Sequence, residues 1–177
     1  NNSPEIYDGD ITRNVDWKIK SFEFSNMFCY GKGNKIDFEK LDGTVGVVAP
    51  NHSGKSAIMD AIAYTIYDVC SRTTRALDVM NKKKTTFRAK LNLEINGNDY
   101  WIERDAKYKR VNHKDGTKSH NCPVKVKFYM IDDAGEEVDL SGAARFNSTY
   151  GTGTNEEIRK VLGTFDDFIL TSLSLQT

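Results

Sequence analysis

The residues with the clearest potential for chemistry lie at 49–56, in the sequence Ala-Pro-Asn-His-Ser-Gly-Lys-Ser. A short apolar run at 44–48 precedes them, and an amphipathic pattern typical of a helix follows at 57–67. A buried strand, a loop that ends in Gly-Lys-Ser and a helix form the context that a phosphate-binding loop requires. We therefore predict that this stretch binds the phosphates of a nucleotide.

Each part of this phosphate loop has a predicted role. Lys55 reaches the β- and γ-phosphates of ATP, and the Ser56 hydroxyl coordinates Mg²⁺. Gly54 lets the backbone approach a phosphate closely, and the helix N-terminus adds partial positive charge. Ala49 stands where the usual pattern begins with glycine, and a negative φ angle there tolerates it. The predicted nucleotide-binding residues are Asn51, His52, Ser53, Gly54, Lys55, Ser56 and Ala57.

The composition is typical of an intracellular globular domain. The 177 residues are 38% hydrophobic and 28% charged with a formal net charge of zero, so the total charge gives no argument for nucleic acid. The 3 cysteines lack CxxC spacing, which favours a reducing compartment over a disulfide framework. The polar N-terminus is not a signal peptide, and no apolar run is long enough to span a membrane. We expect a cytoplasmic or nuclear protein without membrane contact.

The charged residues are unevenly distributed along the chain. Five basic residues and no acid occur at 82–90, and five acids and no base occur at 132–139. The acids fit a solvated turn better than paired catalytic carboxylates. The basic set at 82–90 and a second one at 107–118, with Lys125 and Lys127 on the following strand, could bind the backbone of duplex DNA without base specificity, and a solvated face is the alternative. The predicted DNA-binding residues are Lys107, Lys109, Arg110, Lys114 and Lys118.

A small group of histidines and a cysteine lies in the same basic region. His113, His120 and Cys122 offer three metal ligands, but their spacing matches no recognised zinc motif. No Ser/His/Asp pattern supports nucleophilic catalysis either. Neither chemistry is therefore favoured.

Hydrophobic periodicity predicts an α/β fold with an inserted antiparallel sheet. Alternation indicates a strand at 17–24, whose shift in parity implies a bulge or a strong twist, and a second strand at 35–38, both before the phosphate loop. After a helix from Ser56 and a connection, it indicates an antiparallel insert at about 86–140, with a hairpin turn at 96–99 and a long polar loop at 105–121. Asn155 is then predicted to cap a helix that stops at Gly163, and Thr164 to cap another.

The order of these parts resembles the N-terminal ATPase lobe of the Rad-fifty/SbcC family, ABC-type ATPases of DNA double-strand-break repair that include large subunits of phage recombination nucleases. The resemblance covers 17–177, after a flexible arm at 1–16, and implies a P-loop ABC-type lobe. The segments that carry it are 24–31 (Phe-Ser-Asn-Met-Phe-Cys-Tyr-Gly), 34–38 (Asn-Lys-Ile-Asp-Phe), 46–62 with the phosphate loop, 78–82 (Asp-Val-Met-Asn-Lys), 99–104 (Asp-Tyr-Trp-Ile-Glu-Arg) and 168–176 (Phe-Ile-Leu-Thr-Ser-Leu-Ser-Leu-Gln).

The resemblance implies further site residues. Gln176, in the Q-loop region at 168–177, would contact Mg²⁺ and the attacking water, so the catalytic roles fall to Lys55 and Gln176. The family often has an arginine where this chain has Phe28, which leaves that contact unsupported here. The segment before the inserted strands contacts nucleotide in the family, which implicates Asn81, Lys82 and Lys83.

The resemblance also implies partners. In the family, a signature motif, the Walker B acids and a switch histidine lie in a C-terminal half that follows a long coiled coil, and none of them occurs here. We expect an N-terminal fragment, inactive alone, that completes a head with this half and pairs with a second head around ATP. The pair would bind double-stranded DNA and gate an SbcD/Mre-eleven-type nuclease. The alternatives are an SMC-type chromosome-organising head and a nucleotide-dependent interaction module without a DNA role.

Overall fold

The computed structural model describes residues 17–40, 52–70, 73–142 and 153–163, with the backbone alone for 40 and 52–56. A mixed α/β structure with an antiparallel sheet results, as the sequence predicts. The helices are α1 (His52–Tyr67), α2 (Ala76–Val79) and α3 (Gly153–Leu162), with a 3-10 helix at Phe38–Lys40. The strands are β1 (Trp17–Ser25), β2 (Asn34–Asp37), β3 (Thr86–Ile95), β4 (Asn98–Lys107), β5 (Lys109–Asn112), β6 (Lys118–Asn121), β7 (Val124–Ile131) and β8 (Glu137–Asp139).

Six of these strands form one antiparallel sheet in the order β2-β1-β3-β4-β7-β8. The predicted bulge in β1 is confirmed, because its register with β3 shifts between Ile19 and Ser21. The shift explains why the apolar residues of β1 change parity along the strand. β3 pairs with β1, so the strands of the predicted insert continue the sheet that β1 and β2 begin.

A two-residue turn joins β3 to β4 and confirms the predicted hairpin. Asn96 and Gly97 both have positive φ angles, of 52° and 85°. Two central residues with positive φ are the requirement of a type I′ turn, whose twist matches that of the flanking strands. The pairing of β3 with β4 then runs in unbroken register from one end of the strands to the other.

The core lies between the inner face of the sheet and the helices. The predicted apolar stripe of α1 is confirmed, since Ile58, Ile62 and Ile66 are all buried. Each fully buried side chain of this size contributes about 1.5–3 kcal/mol of burial free energy. The sheet supplies the opposing surface through fully buried residues, which include Phe22, Leu91, Leu93, Ile102 and Phe128.

α1 begins at His52, four residues before the predicted start at Ser56. The stretch 52–55 contains no proline, and Gly54 lowers helix propensity by about 1 kcal/mol without preventing helical geometry. The prediction placed the end of the phosphate loop before the helix. In the structure, the Gly-Lys-Ser sequence instead lies within the first turns of α1.

The prediction of a long loop at 105–121 is wrong. β4 continues to Lys107, and β5 and β6 form a two-stranded hairpin of their own. The Asp115 carboxylate accepts hydrogen bonds from the N–H and the hydroxyl of Thr117, which closes the hairpin turn. Nearly all residues of both strands are exposed, so no apolar alternation marks them in the sequence.

Asn155 does not cap α3 as predicted. The helix begins at Gly153, and Asn155 lies within its first turn with its side chain buried. The Asn155 carboxamide oxygen accepts a hydrogen bond from the Arg104 Nη2 at 2.8 Å, which ties α3 to β4. Gly163 is confirmed as the helix stop, because its φ is 85° and its N–H donates to the Arg159 carbonyl.

Several predictions lie outside the described residues. They concern the arm at 1–16, the strand at 44–48, the helix capped by Thr164 and the final segment with Gln176. α2 occupies part of the stretch 69–77, for which the sequence predicts only a connection. Among the described helices, none combines the length and the apolar character that crossing a membrane needs.

Candidate nucleotide and nucleic-acid sites

The predicted phosphate loop leads directly into α1. The backbone of 52–56 forms the first turns of the helix, whereas Asn51 and the side chains of Lys55 and Ser56 lie outside what the structure describes. The first four N–H groups of a helix lack intrahelical acceptors, and the helix end carries partial positive charge. The amides at 52–55 can therefore receive an anion. Ala57 is 1% exposed, so its methyl group faces the core.

The turn predicted to contact nucleotide, 81–83, is tied to the loop that follows β1. The Asn81 N–H donates to the Asn26 carbonyl at 2.8 Å, and its Nδ2 donates to the Tyr30 carbonyl at 3.0 Å. The Asn81 Oδ1 accepts from the Lys83 N–H at 2.9 Å. Asn81 thus joins its turn to the loop after β1 through its backbone N–H and Nδ2, while its Oδ1 stabilises the turn itself. Lys82 and Lys83 are exposed, so their ammonium groups remain accessible to a ligand.

The loop after β1 has an unusual backbone at two residues. Asn26 (φ 61°) and Phe28 (φ 53°) lie in the left-handed region, which residues other than glycine rarely adopt. The Phe28 N–H donates to the Val79 carbonyl at 2.6 Å, and the buried Met27 forms a β-bridge with Met80. Pairing with this distant segment fixes the loop. Sequence patterns do not reveal it, because the partners are far apart in the chain.

A buried arginine holds the other end of α1. Arg104, on the inner face of β4, is 1% exposed. Its Nε donates to the Thr65 carbonyl at 2.6 Å, and its Nη2 donates to the Ile66 carbonyl at 3.2 Å. The last carbonyls of a helix lack intrahelical donors and carry partial negative charge. A guanidinium stabilises them because it supplies N–H donors and a positive charge. In the sequence, Arg104 alternates with Ile102 and Ala106, so it shares the face of the strand that carries the apolar residues. This position is the signal that its side chain is buried.

The residue after α1 completes the surroundings of Arg104. Asp68 has φ 64°, and its N–H donates to the Tyr64 carbonyl at 2.8 Å, which ends the helix with a left-handed cap. The Asp68 Oδ1 lies 3.7 Å from the Arg104 Nη1. Burial lowers the pKa of Arg104, and the Asp68 carboxylate opposes that change. Burial, and then the Asp68 charge, raise the pKa of Tyr64, so its hydroxyl stays neutral.

A cleft of about 870 Å³ opens at the end of the sheet where β3 begins and β4 ends. Pairing of the strands places Arg88 opposite Asp105, and Asp105 opposite Lys125. The Arg88 Nε lies 3.4 Å from the Asp105 Oδ1, so this acid offsets part of the positive charge. We call this feature the basic cleft, because five of its lining residues are basic, namely Lys32, Arg88, Lys107, Lys109 and Lys125.

The structure brings together two of the five residues predicted to bind DNA. Lys107 and Lys109 line the basic cleft. The other three lie along the β5–β6 hairpin and its turn, where they are exposed, and they are Arg110, Lys114 and Lys118. Sheet register adds Arg88 and Lys125 to the cleft, which belong to the basic sets weighed for DNA binding. Lys32, from the loop between β1 and β2, also lines the cleft and was not among the residues weighed.

The outward face of the sheet carries a network of paired polar groups. The Tyr129 hydroxyl donates to the Glu103 Oε2 at 2.7 Å, and the Arg88 Nη2 donates to the Glu103 Oε1 at 3.2 Å. Burial acts to raise the pKa of Glu103, but these two hydrogen bonds and the charges of Lys90 and Arg88 together leave the pKa below its ordinary value. Trp101 stacks on Tyr129, and the Lys90 Nζ lies 4.8 Å from the centre of the Trp101 ring. Glu103, Arg88 and Lys90 therefore each have a fixed partner on this face.

The histidines weighed as zinc ligands stabilise the β5–β6 hairpin. His113 Nε2 lies 2.9 Å from the Ser119 hydroxyl. The His120 ring stacks on Tyr108 and hydrogen-bonds its hydroxyl. In the part of the chain that the structure describes, no group of three or more His, Cys, Asp or Glu side chains could hold a metal ion.

The α/β architecture and the phosphate-loop sequence define a P-loop nucleotide-binding lobe as the class of this protein. A family model described as AAA domain (AAA_23) matches residues 21–175, so the chain belongs to this family. The match includes the phosphate loop, all three described α-helices and the six-stranded sheet apart from the first four residues of β1.

The chain is similar to several curated proteins. "Uncharacterized protein R555" of Acanthamoeba polyphaga mimivirus is 33% identical over 100% of this chain and 13% of its own length. The SbcC subunit of the nuclease SbcCD from Clostridium acetobutylicum is 27% identical over 77% of this chain and 11% of its own length. The DNA double-strand break repair Rad50 ATPase of Methanocaldococcus jannaschii is 32% identical over 45% of this chain and 8% of its own length. The resemblance to the Rad-fifty/SbcC family is confirmed, and the chain spans about a tenth of the length of these relatives.

Two weaker similarities accompany these. The chromosome partition protein Smc of Lactiplantibacillus plantarum is 27% identical over 50% of this chain and 8% of its own length. A structure of the recombination mediator protein RecF with ATPrS has a TM-score of 0.45 and 16% identity, and the similarity covers 70% of this chain and 28% of RecF.

Proposed function

We propose that this chain is the ATP-binding N-terminal half of a DNA-repair ATPase head. The observation that carries the proposal is the AAA domain match across 21–175, within which the Gly-Lys-Ser sequence lies at the N-terminal end of α1. The names of two relatives, a nuclease subunit and a double-strand break repair ATPase, support a role in repair. In this proposal the completed head pairs with a second head around ATP and gates a partner nuclease at DNA ends.

The parts of the site have separate tasks in ATP binding. Backbone amides at the N-terminus of α1 bind phosphate oxygens, and Lys55 neutralises the β- and γ-phosphates. The hydroxyl of Ser56 and the carboxamide oxygen of Gln176 are hard donors of the kind that suits Mg²⁺. When bound, Mg²⁺ neutralises charge that develops on the phosphates. Lys82 and Lys83 present two further cations next to the ordered loop after β1.

The chain alone is expected to bind ATP weakly without hydrolysing it. Hydrolysis also needs a group that holds the attacking water and a donor on the far side of the γ-phosphate. In the Rad-fifty/SbcC family, the C-terminal half and the second head supply these groups. Asp132 and Asp133 are no substitute, because they lie in the turn to the edge strand β8. Adding the C-terminal half should restore hydrolysis, which should rise with protein concentration as heads pair.

Replacing Lys55 tests the nucleotide site. We expect Lys55→Ala to weaken ATP binding about ten-fold or more, because the variant has no cation next to the phosphates, while the thermal denaturation midpoint stays unchanged. Calorimetric titration of the assembled head with ATP and Mg²⁺ measures the affinity. Lys18→Ala removes an exposed lysine on β1 that pairs with Glu94, and it serves as the matched control. Unchanged ATP affinity in Lys55→Ala would overturn the proposal.

DNA binding is tested by neutralising cations at the base of the hairpin. We expect the triple replacement of Lys107, Lys109 and Arg110 by alanine to weaken duplex binding equally for all sequences. The slope of log K against log salt should become shallower by about 0.9 for each phosphate that the protein no longer neutralises. The control removes the same charge from three exposed lysines outside the basic cleft, namely Lys18, Lys35 and Lys160. If the affinity and the salt slope of the triple variant were unchanged, these residues would form only a solvated surface and would not bind DNA.

A chromosome-organising head of the SMC type is the second candidate, favoured by the similarity to Smc over 50% of the chain. Both candidates use the same lobe and both bind ATP between paired heads. Copurification of the complete protein with a nuclease of the SbcD type would support repair, and its association with condensation proteins would support SMC function. Salt-sensitive duplex binding would exclude an interaction module without a DNA role.

A further inference from the structure

The β5–β6 hairpin projects beyond the end of the six-stranded sheet. β5 follows β4 in the chain and β6 precedes β7, so the hairpin prolongs the β4–β7 pair past the point where the sheet stops. At its base, the Tyr108 N–H donates to the Thr85 carbonyl at 2.8 Å. Every residue of β5 is exposed, and in β6 only Ser119 is partly buried. The hairpin is therefore an arm that stands out from the core.

Polar contacts give the hairpin a defined shape without an apolar core of its own. A two-stranded hairpin alone is at best marginally stable in water. Here the His120 ring stacks on Tyr108 at the base, and the hydrogen bonds of the Asp115 carboxylate with Thr117 close the turn at the tip. A partner therefore meets a preformed surface and orders few groups on binding.

The hairpin carries cations without acidic partners. Residues 109–121 contain four basic residues and one acid, namely Lys109, Arg110, Lys114, Lys118 and Asp115. Hydrogen bonds from Thr117 lower the pKa of Asp115, so this carboxylate is already engaged in the turn. In the described part of the chain no acid pairs with Arg110 or Lys118, whereas Arg88 on the sheet has two acidic partners. The charge of the hairpin is thus available to an anionic partner.

The dimensions of the hairpin fit the major groove of duplex DNA. Paired strands lie about 4.8 Å apart, and a strand of four residues spans about 14 Å. The major groove is about 12 Å wide and 8.5 Å deep, and it admits a two-stranded β-ribbon. The minor groove, about 6 Å wide, is too narrow for a ribbon with long side chains on both faces.

One face of the hairpin offers donors that any base pair can accept. Register places Arg110 opposite His120 and Asn112 opposite Lys118. Alternate residues of a strand share a face, so Arg110, Asn112 and Lys118 lie on the same one. Each of these three side chains has N–H donors, and every base pair presents a purine N7 acceptor in the major groove. Contacts of this kind require no particular DNA sequence.

The basic cleft lies at the base of the same hairpin. Lys109, the first residue of β5, lines it together with Lys107 at the end of β4 and Lys125 of β7. Cations grouped in this way bind the phosphates of a nucleic acid strand and release its counterions. A duplex whose backbone lies in the cleft therefore presents its groove to the hairpin.

We propose that the β5–β6 hairpin inserts into the major groove of duplex DNA while the basic cleft holds the adjacent backbone. This inference rests on the proposed function of the chain and names the part of the duplex that the lobe contacts. Electrostatic contacts alone let a protein slide along DNA. A hairpin in the groove also fixes the rotation of the duplex about its own axis.

The test compares two duplexes of equal length and equal backbone charge, with the complete protein that has both halves of the head. One duplex is plain DNA. In the other, glucosylated 5-hydroxymethylcytosine replaces every cytosine and fills the major groove with sugar. We expect the protein to bind the modified duplex about ten-fold or more weakly, because the hairpin no longer fits the groove. The slope of log K against log salt should be the same for both, since the phosphates are unchanged. Fluorescence anisotropy measures both quantities.

A shortened hairpin assigns the effect to this element. Replacing residues 112–118 by Asn-Gly joins the cross-strand partners Val111 and Ser119 through a two-residue turn. This variant should bind the two duplexes equally, with an unchanged thermal denaturation midpoint because all the removed residues are exposed. The removed segment contains two lysines and one aspartate, so one net positive charge is lost. Lys18→Ala removes one exposed cation from β1 and is the matched control, which should keep the preference for plain DNA.

Equal affinity of the complete protein for the two duplexes would overturn the inference, and that comparison requires no variant to fold. A preference for plain DNA that survives the shortening would also overturn it, because another element would then occupy the groove. If the protein bound neither duplex and the shortening instead released a protein partner, the hairpin would be a protein-docking arm and the inference would be wrong. Titration of Lys55→Ala with ATP tests the proposed nucleotide site separately, whichever result the duplexes give.

Discussion

The two faces of the six-stranded sheet place similar side chains in opposite surroundings. On the inner face, Arg104 is 1% exposed and donates to helix carbonyls. On the outer face, the Arg88 side chain is 62% exposed and pairs with Glu103 and Asp105. The two arginines lie on neighbouring strands, so burial and not residue type decides what each contributes. A buried charge must have fixed partners to offset its desolvation, whereas an exposed pair is worth about 0–1 kcal/mol.

The largest expected loss of stability comes from removing the buried Arg104 side chain. Arg104→Ala leaves carbonyls of α1 and the Asn155 carboxamide without their donor and opens a cavity, so we expect a loss of about 3 kcal/mol or more. Arg88→Ala should cost less than about 1 kcal/mol. Urea denaturation of both variants at pH 7, with unchanged m values, measures the difference. Equal losses in the two variants would contradict the comparison.

A smaller effect is expected on the outer face, and it depends on pH. The pKa of Glu103 is lowered in the folded state, so its pairing stabilises the fold above the ordinary pKa of 4.5 and is lost as the pH falls through the lowered pKa. Glu103→Gln should therefore destabilise the protein by about 1 kcal/mol at pH 7 and by much less near pH 3. Unfolding free energies of both proteins across this range test the sign. A difference that grows on acidification would contradict it.

Local patterns predicted most of the sheet because they depend on neighbours in the sequence. Alternation located β1, β3 and β7, and the Asn-Gly pair located the turn between β3 and β4. The bulge in β1 also left a signal in the sequence, because an extra residue in a strand shifts the parity of the apolar residues that follow it. The Gly-Lys-Ser sequence likewise identified the start of α1, although the helix begins four residues earlier than predicted.

The features that the sequence did not predict depend on tertiary partners or lack an apolar face. The β5–β6 hairpin is exposed on both sides, so its strands carry no hydrophobic period. Asn155 has the chemistry of a helix cap, but α3 begins two residues before it, and its carboxamide accepts a hydrogen bond from the distant Arg104. The basic cleft brings Lys32, from the loop between β1 and β2, together with cations far along the chain on β3, β4, β5 and β7. The predicted contacts of Lys55, Ser56 and Gln176 stay predictions.

We expect folding to begin at the centre of the sheet, because a turn of only two residues joins β3 to β4. Pairing of these strands closes a very short loop, and hairpins form in about 1–10 μs. β1 and α3 join through contacts between distant segments, which form more slowly. We expect Gly97→Ala, which forces a side chain to adopt φ 85°, to slow refolding more than it speeds unfolding in stopped-flow experiments. An unchanged refolding rate would contradict this order, in which the hairpin that carries Arg88 and Arg104 exists before the phosphate-loop helix docks.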